Sequence, residues 1–258
     1  MRKLLFVTGN VGKWREFQRL LGSLFRVTNA HYDLTEIQGT PTEIAIHKAK
    51  LAAKQFGQTI VIEDTSVWLK EYGEAMGGYC KWLGVDENGK NDNAEMQCIR
   101  FNKMAAGCKD KTLIAKCIIA ICSPDCEPML FVGTFEGECC DLAVGKPTDG
   151  SAYFGWDAIM FDKTMNKSFA QMTSDEKNSV SQRKKAVDAF VAYMLNTYQE
   201  KNTKQICTNR SSARVLHREE IQIVNCMILY AIIRFCVDAY VCLQYAAYSI
   251  ISAIGTLL

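Results

Sequence analysis

Leu4-Leu5-Phe6-Val7-Thr8-Gly9-Asn10-Val11-Gly12-Lys13 is an apolar run of strand length that breaks into a glycine-bearing loop and then into a helical pattern. Trp14, Phe17, Leu20 and Leu21 recur at helical spacing, so this helix packs one face on a sheet. A strand, a tight loop and a helix start leave free backbone N–H groups and the positive end of a dipole facing the loop. That is an anion site in outline. Lys13 adds a mobile cation, and Thr8 and Asn10 add short polar side chains. The interval between glycine and lysine is not that of a Walker loop. Taken alone, the stretch reads equally as a phosphate cradle or as an ordinary βα turn.

Outward from this loop, an apolar segment near Phe25–Asn29 leads through Asp33, Glu36 and Gly39 to a well-marked helix start. Thr40 can cap, Pro41 suits the first helical position, and Glu43 completes a capping box. The helix should run to Phe56 and stop at Gly57, with Ala45, Ala49, Ala52 and Phe56 as its buried stripe. Lys48 lies off that stripe, so by itself it reads as a solvated lysine. Thr59-Ile60-Val61-Ile62 reads as a buried strand ending in Glu63-Asp64-Thr65-Ser66. Ligands collect beyond the carboxyl ends of strands in open α/β sheets. Acids there, opposite a phosphate cradle, are candidate magnesium ligands, because Mg²⁺ takes one or two carboxylates, water and substrate phosphates.

Farther along, Asp92 and Glu95 repeat the capping-box spacing and open a helix ending near Gly107. Thr112–Cys122 and Met129–Cys139 read as two long antiparallel strands turned by Ser123-Pro124-Asp125. Tyr153-Phe154-Gly155-Trp156-Asp157 can pack a core or clamp a flat ring, with the acid on a polar edge. Thr173 and Glu176 form a further capping box, and Lys177-Asn178-Ser179-Val180-Ser181-Gln182-Arg183 leads into a helix carrying Val187, Phe190, Val191 and Met194. Cations at a helix start oppose its dipole, so Lys177 and Arg183 call for a reason beyond solvation.

The 258 residues allow one large domain, or one domain with an extension. A net charge of +2 gives no electrostatic case for nucleic-acid binding. The twelve cysteines lie inside apolar runs, singly but for the close pairs Cys139-Cys140 and Cys122/Cys126, after an N-terminus without the pattern of a secretory signal. They read as reduced, buried thiols of a cytosolic protein. Three scattered histidines and no CxxC leave no zinc pattern.

Together these pieces, in this order from residue 4 to about 197, resemble the inosine triphosphate pyrophosphatase (Ham1-like) family of nucleotide hydrolases. They are Thr8-Gly9-Asn10 with Lys13 and Glu16; Asp33-Leu34 with Glu36 and Gln38-Gly39; Pro41 through Lys48; Glu63-Asp64-Thr65; Lys81-Trp82; Phe154-Gly155-Trp156-Asp157; and Lys177-Asn178 with Ser181 and Arg183. The resemblance implies an α/β fold with a long twisted mixed sheet flanked by helices, split into two lobes around a nucleotide-binding cleft. It implies hydrolysis of non-standard purine triphosphates such as ITP, dITP and XTP to a monophosphate and pyrophosphate. By the same analogy Thr8, Gly9, Asn10, Val11, Gly12 and Lys13 hold the triphosphate. Glu36 and Asp64 sit at the site of a Mg²⁺ ion, with Mn²⁺ as a substitute, and Asp64 and Thr65 also contact the substrate. Lys48 and Lys81 contact phosphate or sugar. Phe154 of the Phe154-Gly155-Trp156-Asp157 motif stacks on the base, and Asp157, Lys177, Gln182 and Arg183 line its edge. Asp64, Lys13 and Glu36 carry the catalysis. Such proteins form cytoplasmic homodimers.

The match departs in two places. The family's serine-histidine-arginine is here Ser181-Gln182-Arg183, and its proline-bearing segment is Gly73-Glu74-Ala75-Met76-Gly77-Gly78-Tyr79-Cys80-Lys81, which predicts a looser wall. The catalytic domain is expected over residues 1–200. Residues 201–258 form a basic linker and an apolar tail, and the uncharged stretch Ala239–Leu258 has the length of a bilayer span. A tail anchor, an extra helix pair and an aberrant gene end compete there. A Maf-type pyrophosphatase acting on dTTP or UTP, and a weakened nucleotide binder held by its tail, are the competing functions.

Overall fold

A computed structural model describes residues 3–88 and 94–210. The order is β1 (Lys3–Val7), α1 (Val11–Leu21), β2 (Arg26–Ala30), α2 (Pro41–Phe56), β3 (Ile60–Leu69), α3 (Ala94–Ala105), β4 (Thr112–Cys122), β5 (Met129–Cys139), α4 (Leu142–Gly145), β6 (Met160–Asp162), β7 (Lys167–Ser168), α5 (Ser174–Val180) and α6 (Gln182–Arg210). A 3₁₀ segment, Glu74–Gly84, lies between β3 and α3. The chain divides into two units at Thr197/Tyr198, and the first contains the sheet. The expected helix start at Asp92 and the tail Ala239–Leu258 lie outside the described residues. Among the described residues, no helix is long and apolar enough to cross a membrane.

The seven strands run β2-β1-β3-β4-β5-β6-β7. β1 is parallel to β2 and β3, and every pairing from β3 to β7 is antiparallel, so the sheet is mixed as expected. The sequence signals for α2 hold to the residue. Thr40 and Glu43 make the reciprocal capping box, Pro41 opens the helix, and Gly57 closes it at φ 61°. The β4–β5 hairpin also has its expected ends.

β3 corrects one expectation. It does not end at Glu63 but continues to Leu69, paired with β4 along its whole length. β1 stays beside it only at Leu5↔Ile60 and Phe6↔Val61. The acids therefore sit in mid-strand, just beyond the point where β1 stops. The apolar pattern ended at Ile62 because the strand carries cleft-facing polar groups there, not because it turns.

Successive strand residues point to opposite faces. On one face of β3, Val61 packs with Phe6, Phe17 and Phe190 under α1 and α6, while Val67 and Leu69 pack with Phe101, Ile159 and Phe169 under α3. Glu63 and Thr65 fall between those two clusters. On the other face Ile60 and Ile62 meet Ala45, Ala49, Ala52 and Ala53 of α2, and Asp64 follows them. A cleft opens where each apolar layer is interrupted.

The start of α6 is laid directly on β5. A Cβ on Gly133 would stand 2.0 Å from the Gln182 carbonyl oxygen and 2.6 Å from the Ala186 nitrogen. Both are backbone atoms and neither can swing aside. Gly133→Ala should therefore lift the α6 start from the sheet and lower stability by about 2 kcal/mol. Urea unfolding of the two proteins measures this, and an unchanged midpoint would refute the packing argument.

Candidate active site

The loop after β1 caps α1 on itself. The Asn10 side chain accepts from the Lys13 backbone N–H at 3.0 Å, and Thr8 Oγ1 accepts from the Asn10 N–H at 3.2 Å. The first-turn N–H groups of Val11 and Gly12 have no carbonyl partner in their own helix. Gly12 is small for a reason: a Cβ there would stand 2.2 Å from Phe154 Cε2. The phosphate-type loop and the aromatic motif, far apart in sequence, thus meet face to face.

The two neighbouring acids of β3 serve opposite sides of the sheet. Asp64 turns toward α2, where Lys48 Nζ donates to it and to Glu36, at 2.9 Å in each case. Lys81 reaches Glu36 from the other side at 3.4 Å. Lys48 is buried, not solvated, at 9% exposure. Burial lowers its affinity for a proton, but Asp64 and Glu36 outweigh that and push its pKa up. Burial likewise raises the Glu36 pKa, and Lys48, Lys81 and Lys13 overcome it, so the group stays below the usual carboxylate range.

Glu63 turns toward α1 and α6. Its carboxylate is ion-paired with Lys13 at 3.3 Å and Arg183 at 3.5 Å, and it accepts from Thr65 and from the Cys117 thiol. Burial raises the Glu63 pKa; Arg183 and Lys13 more than reverse this and bring it to about 2. Arg183 also bonds Glu16 of α1, across 167 residues of sequence. The cation sits at the start of α6 because two acids, the buried Glu63 and the half-buried Glu16, hold it there. Lys177 belongs instead to the last turn of α5, where a positive charge suits the dipole. It pairs with Asp157 at 2.7 Å. Burial wins at Asp157, whose pKa is raised in spite of Lys177.

These elements enclose a cleft of about 630 Å³. Thr8, Gly9, Asn10, Lys13, Glu36, Lys48, Asp64, Thr65, Lys81, Phe154, Gly155, Trp156 and Arg183 line it. Val11, Gly12, Asp157, Lys177 and Gln182 do not, although Gly12 lies under the Phe154 ring. Phe154 is exposed to the cleft, and the Arg183 guanidinium stands 6.0 Å from its centroid. Trp156 leans the other way, onto Phe101 at 5.4 Å. Gln182 is buried at 6% exposure, and its Oε1 has no hydrogen-bond partner among the described residues. The altered segment before Lys81 is not loose. It winds into the 3₁₀ segment, with Gly77 against Trp68 and Ser66, and Gly78 against the Gly39 carbonyl and Ile44. Gln97 also lines the cleft. It carried no motif, and nothing short of its position on α3 identifies it.

Among the described residues, no three histidine, cysteine or acidic side chains gather around a metal position. Glu36 and Asp64 nevertheless aim one oxygen each at a single cation, the Lys48 ammonium. Two carboxylates converging on one charge beside an anion loop suit a hard ion that draws its other ligands from water and phosphate.

The profile of the Ham1 family matches residues 4–193. The inosine triphosphate pyrophosphatase of Yarrowia lipolytica is 36% identical over 193 residues, covering 74% of this chain and 95% of its own. That of Batrachochytrium dendrobatidis is 36% identical over 188 residues, covering 72% and 91%. Among solved structures, a HAM1 protein from Coxiella burnetii superimposes with a TM-score of 0.64 at 25% identity, covering 76% of this chain and all of that one. The Staphylococcus aureus Ham1 protein gives 0.60 at 25% identity, covering 75% and 99%.

Because Glu63 holds its proton less tightly when folded than when unfolded, its stabilising effect is complete above the ordinary carboxylate range. That effect is lost as pH falls toward 2. The lost portion is on the order of 3 kcal/mol. Glu63→Gln should flatten this acid limb of the stability–pH curve. Unfolding midpoints between pH 5 and pH 2.5, taken as round test values about that range, check it, and an equally steep limb in the variant would overturn the assignment.

Proposed function

The chain belongs to the Ham1 family, and from that premise we propose that it hydrolyses ITP, dITP and XTP to the monophosphate and pyrophosphate, clearing damaged purine nucleotides from the pool. The reading rests on one observation: an anion loop, a lysine-bridged carboxylate pair and an aromatic ring beside an arginine share a single cleft. A triphosphate repels any oxygen that approaches its phosphorus. Preorganised positive charge removes that barrier, and such charge is usually the largest catalytic contribution. Lys13, Lys48, Lys81 and the loop Thr8–Lys13 supply it. Each of these lysines is paired with an acid before substrate arrives and is thereby held charged at the cleft, and an acid released when a lysine turns to phosphate needs another cation in its place.

Glu36 and Asp64 would hold Mg²⁺, with Mn²⁺ as a substitute, and the ion supplies further charge neutralisation on the phosphate oxygens. Asp64 also orients the attacking water. Phe154 stacks on the base, with Gly12 as its floor. Hypoxanthine and xanthine present an acceptor oxygen at position 6, which the Arg183 guanidinium can meet. Adenine presents an NH₂ donor there, which leaves donor facing donor, and such mismatches reach about 10⁴-fold. Asp157 and Lys177 support that edge from beyond the cleft wall. We take residues 1–200 as the catalytic domain of a cytoplasmic homodimer. Residues 201–258 lie beyond the family match, and any membrane contact is confined to residues 239–258.

The full chain, incubated with Mg²⁺ and ITP, XTP, ATP, GTP or dTTP, should release pyrophosphate, not single phosphate, from ITP and XTP. Turnover of dTTP alone would overturn the base assignment. Asp64→Asn should lower kcat by about 10³-fold with ITP, and a near-normal rate would remove Asp64 from the site. Gly12→Ala should displace Phe154 and raise KM for ITP by roughly ten-fold. Inorganic tripolyphosphate, which has no ring, should compete equally well against both proteins, and a loss of that competition would show damage to the loop instead.

A further inference from the structure

The helix α3 touches both walls of the cleft. On one side the Cys98 thiol donates to the Gly155 carbonyl at 3.5 Å, and Phe101 packs on Trp156. On the other, Gln97 Nε2 donates to the Lys81 carbonyl at 3.0 Å. Arg100, one turn on, directs Nη1 to two carbonyls at once, Leu83 at 2.9 Å and Val85 at 2.8 Å. Those carbonyls belong to the end of the 3₁₀ segment that carries Lys81 and to the residue that follows it.

A 3₁₀ helix of this length is an unusual conformation, because its hydrogen bonds are poorly aligned and runs beyond three or four residues are uncommon. Its last carbonyls have no N–H of their own to accept from. A guanidinium across two of them supplies charge-assisted bonds of the stronger kind. Arg100 itself does not line the cleft. Among the described residues its side chain bonds these two carbonyls, so whatever it does for the reaction it does through the segment it ties off.

We propose that Arg100 is a positioning residue: by closing the 3₁₀ segment with its two-carbonyl bridge, it fixes where the Lys81 ammonium meets the triphosphate. This rests on the reading above that Lys81 contacts the substrate. It gives the segment a fastening that lies in α3 and not in the segment's own sequence, where prolines are missing. Gln97 adds a bond to the backbone of Lys81 itself, and the Cys98 bond ties the aromatic loop to the same helix.

The test is a double-mutant cycle on the full chain, with kcat and KM for ITP in the presence of Mg²⁺. Lys81→Ala alone should raise KM. Arg100→Ala alone should also raise KM, by roughly ten-fold, with kcat less affected. In the Lys81→Ala background Arg100→Ala should change KM by less than about two-fold, because there is no ammonium left to misplace. Arg100→Lys, which keeps a cationic donor, should recover part of the loss. Arg100→Met, which keeps the stem but has no donor, serves as the cycle partner if Arg100→Ala does not fold. An equal Arg100 effect in both backgrounds would mean general loosening and would overturn the proposal, as would no effect in either. A silent Lys81→Ala would instead remove Lys81 from the substrate site, and the proposal would fall with that reading.

Discussion

Compensation of buried charge in the middle of β3 governs the arrangement of this molecule. Glu63 and Asp64 are both almost fully buried, and a carboxylate in such a place must be paired or neutralised. The pleat sends them to opposite faces, so no single cation can serve both. Asp64 draws Lys48 from α2, and Glu63 draws Lys13 from α1 and Arg183 from α6. The register of three helices on the sheet is thereby tied to two neighbouring residues. Replacing a whole buried ion pair of this kind by apolar groups often costs little, because desolvation offsets the attraction, whereas neutralising one member alone is costly. The use of these pairs here is placement: each cation is held, charged, at the edge of the cleft.

The same logic explains the surroundings of the cleft. Where the protein needs close approach it uses glycine against a specific neighbour: Gly12 beneath Phe154, Gly78 on the Gly39 carbonyl, Gly133 under the start of α6. None of these is a free hinge. Each brings two elements to backbone or ring contact, and each joins a part of the site to the body of the sheet. Ser181 does similar work at the junction of α5 and α6. Its Oγ accepts from the Lys184 N–H, so the new helix begins one residue before Arg183 and aims it inward.

Local chemistry was the legible part. The capping boxes at Thr40/Glu43 and Thr173/Glu176, the Gly57 stop and the β4–β5 hairpin depend on interactions within a few residues, and the structure contains all of them. The motif residues of the loop, the acids and the aromatic segment were readable as a set because they follow a family order. The length of β3 was not readable, since strand pairing with β4 overrides a local pattern that breaks at Glu63. Lys48 looked solvated because its partners, Glu36 and Asp64, lie on other elements. Glu63 was visible as an acid but not as the anchor of Lys13 and Arg183. The roles of Gln97 and Arg100 had no sequence signal at all, because they bond backbone carbonyls, and any residue has those.

The Glu16–Arg183 bond joins the second turn of α1 to the first turn of α6, 167 positions apart. During synthesis the ribosome exposes the β1 loop, both acids and the lysines long before it releases α6. Throughout that interval Glu63 faces an unfinished interior with Lys13 alone. Contacts so distant in sequence are slow to close. Completion of the cleft therefore waits on translation past Arg183, and until then Glu63 lacks the second of its two cations.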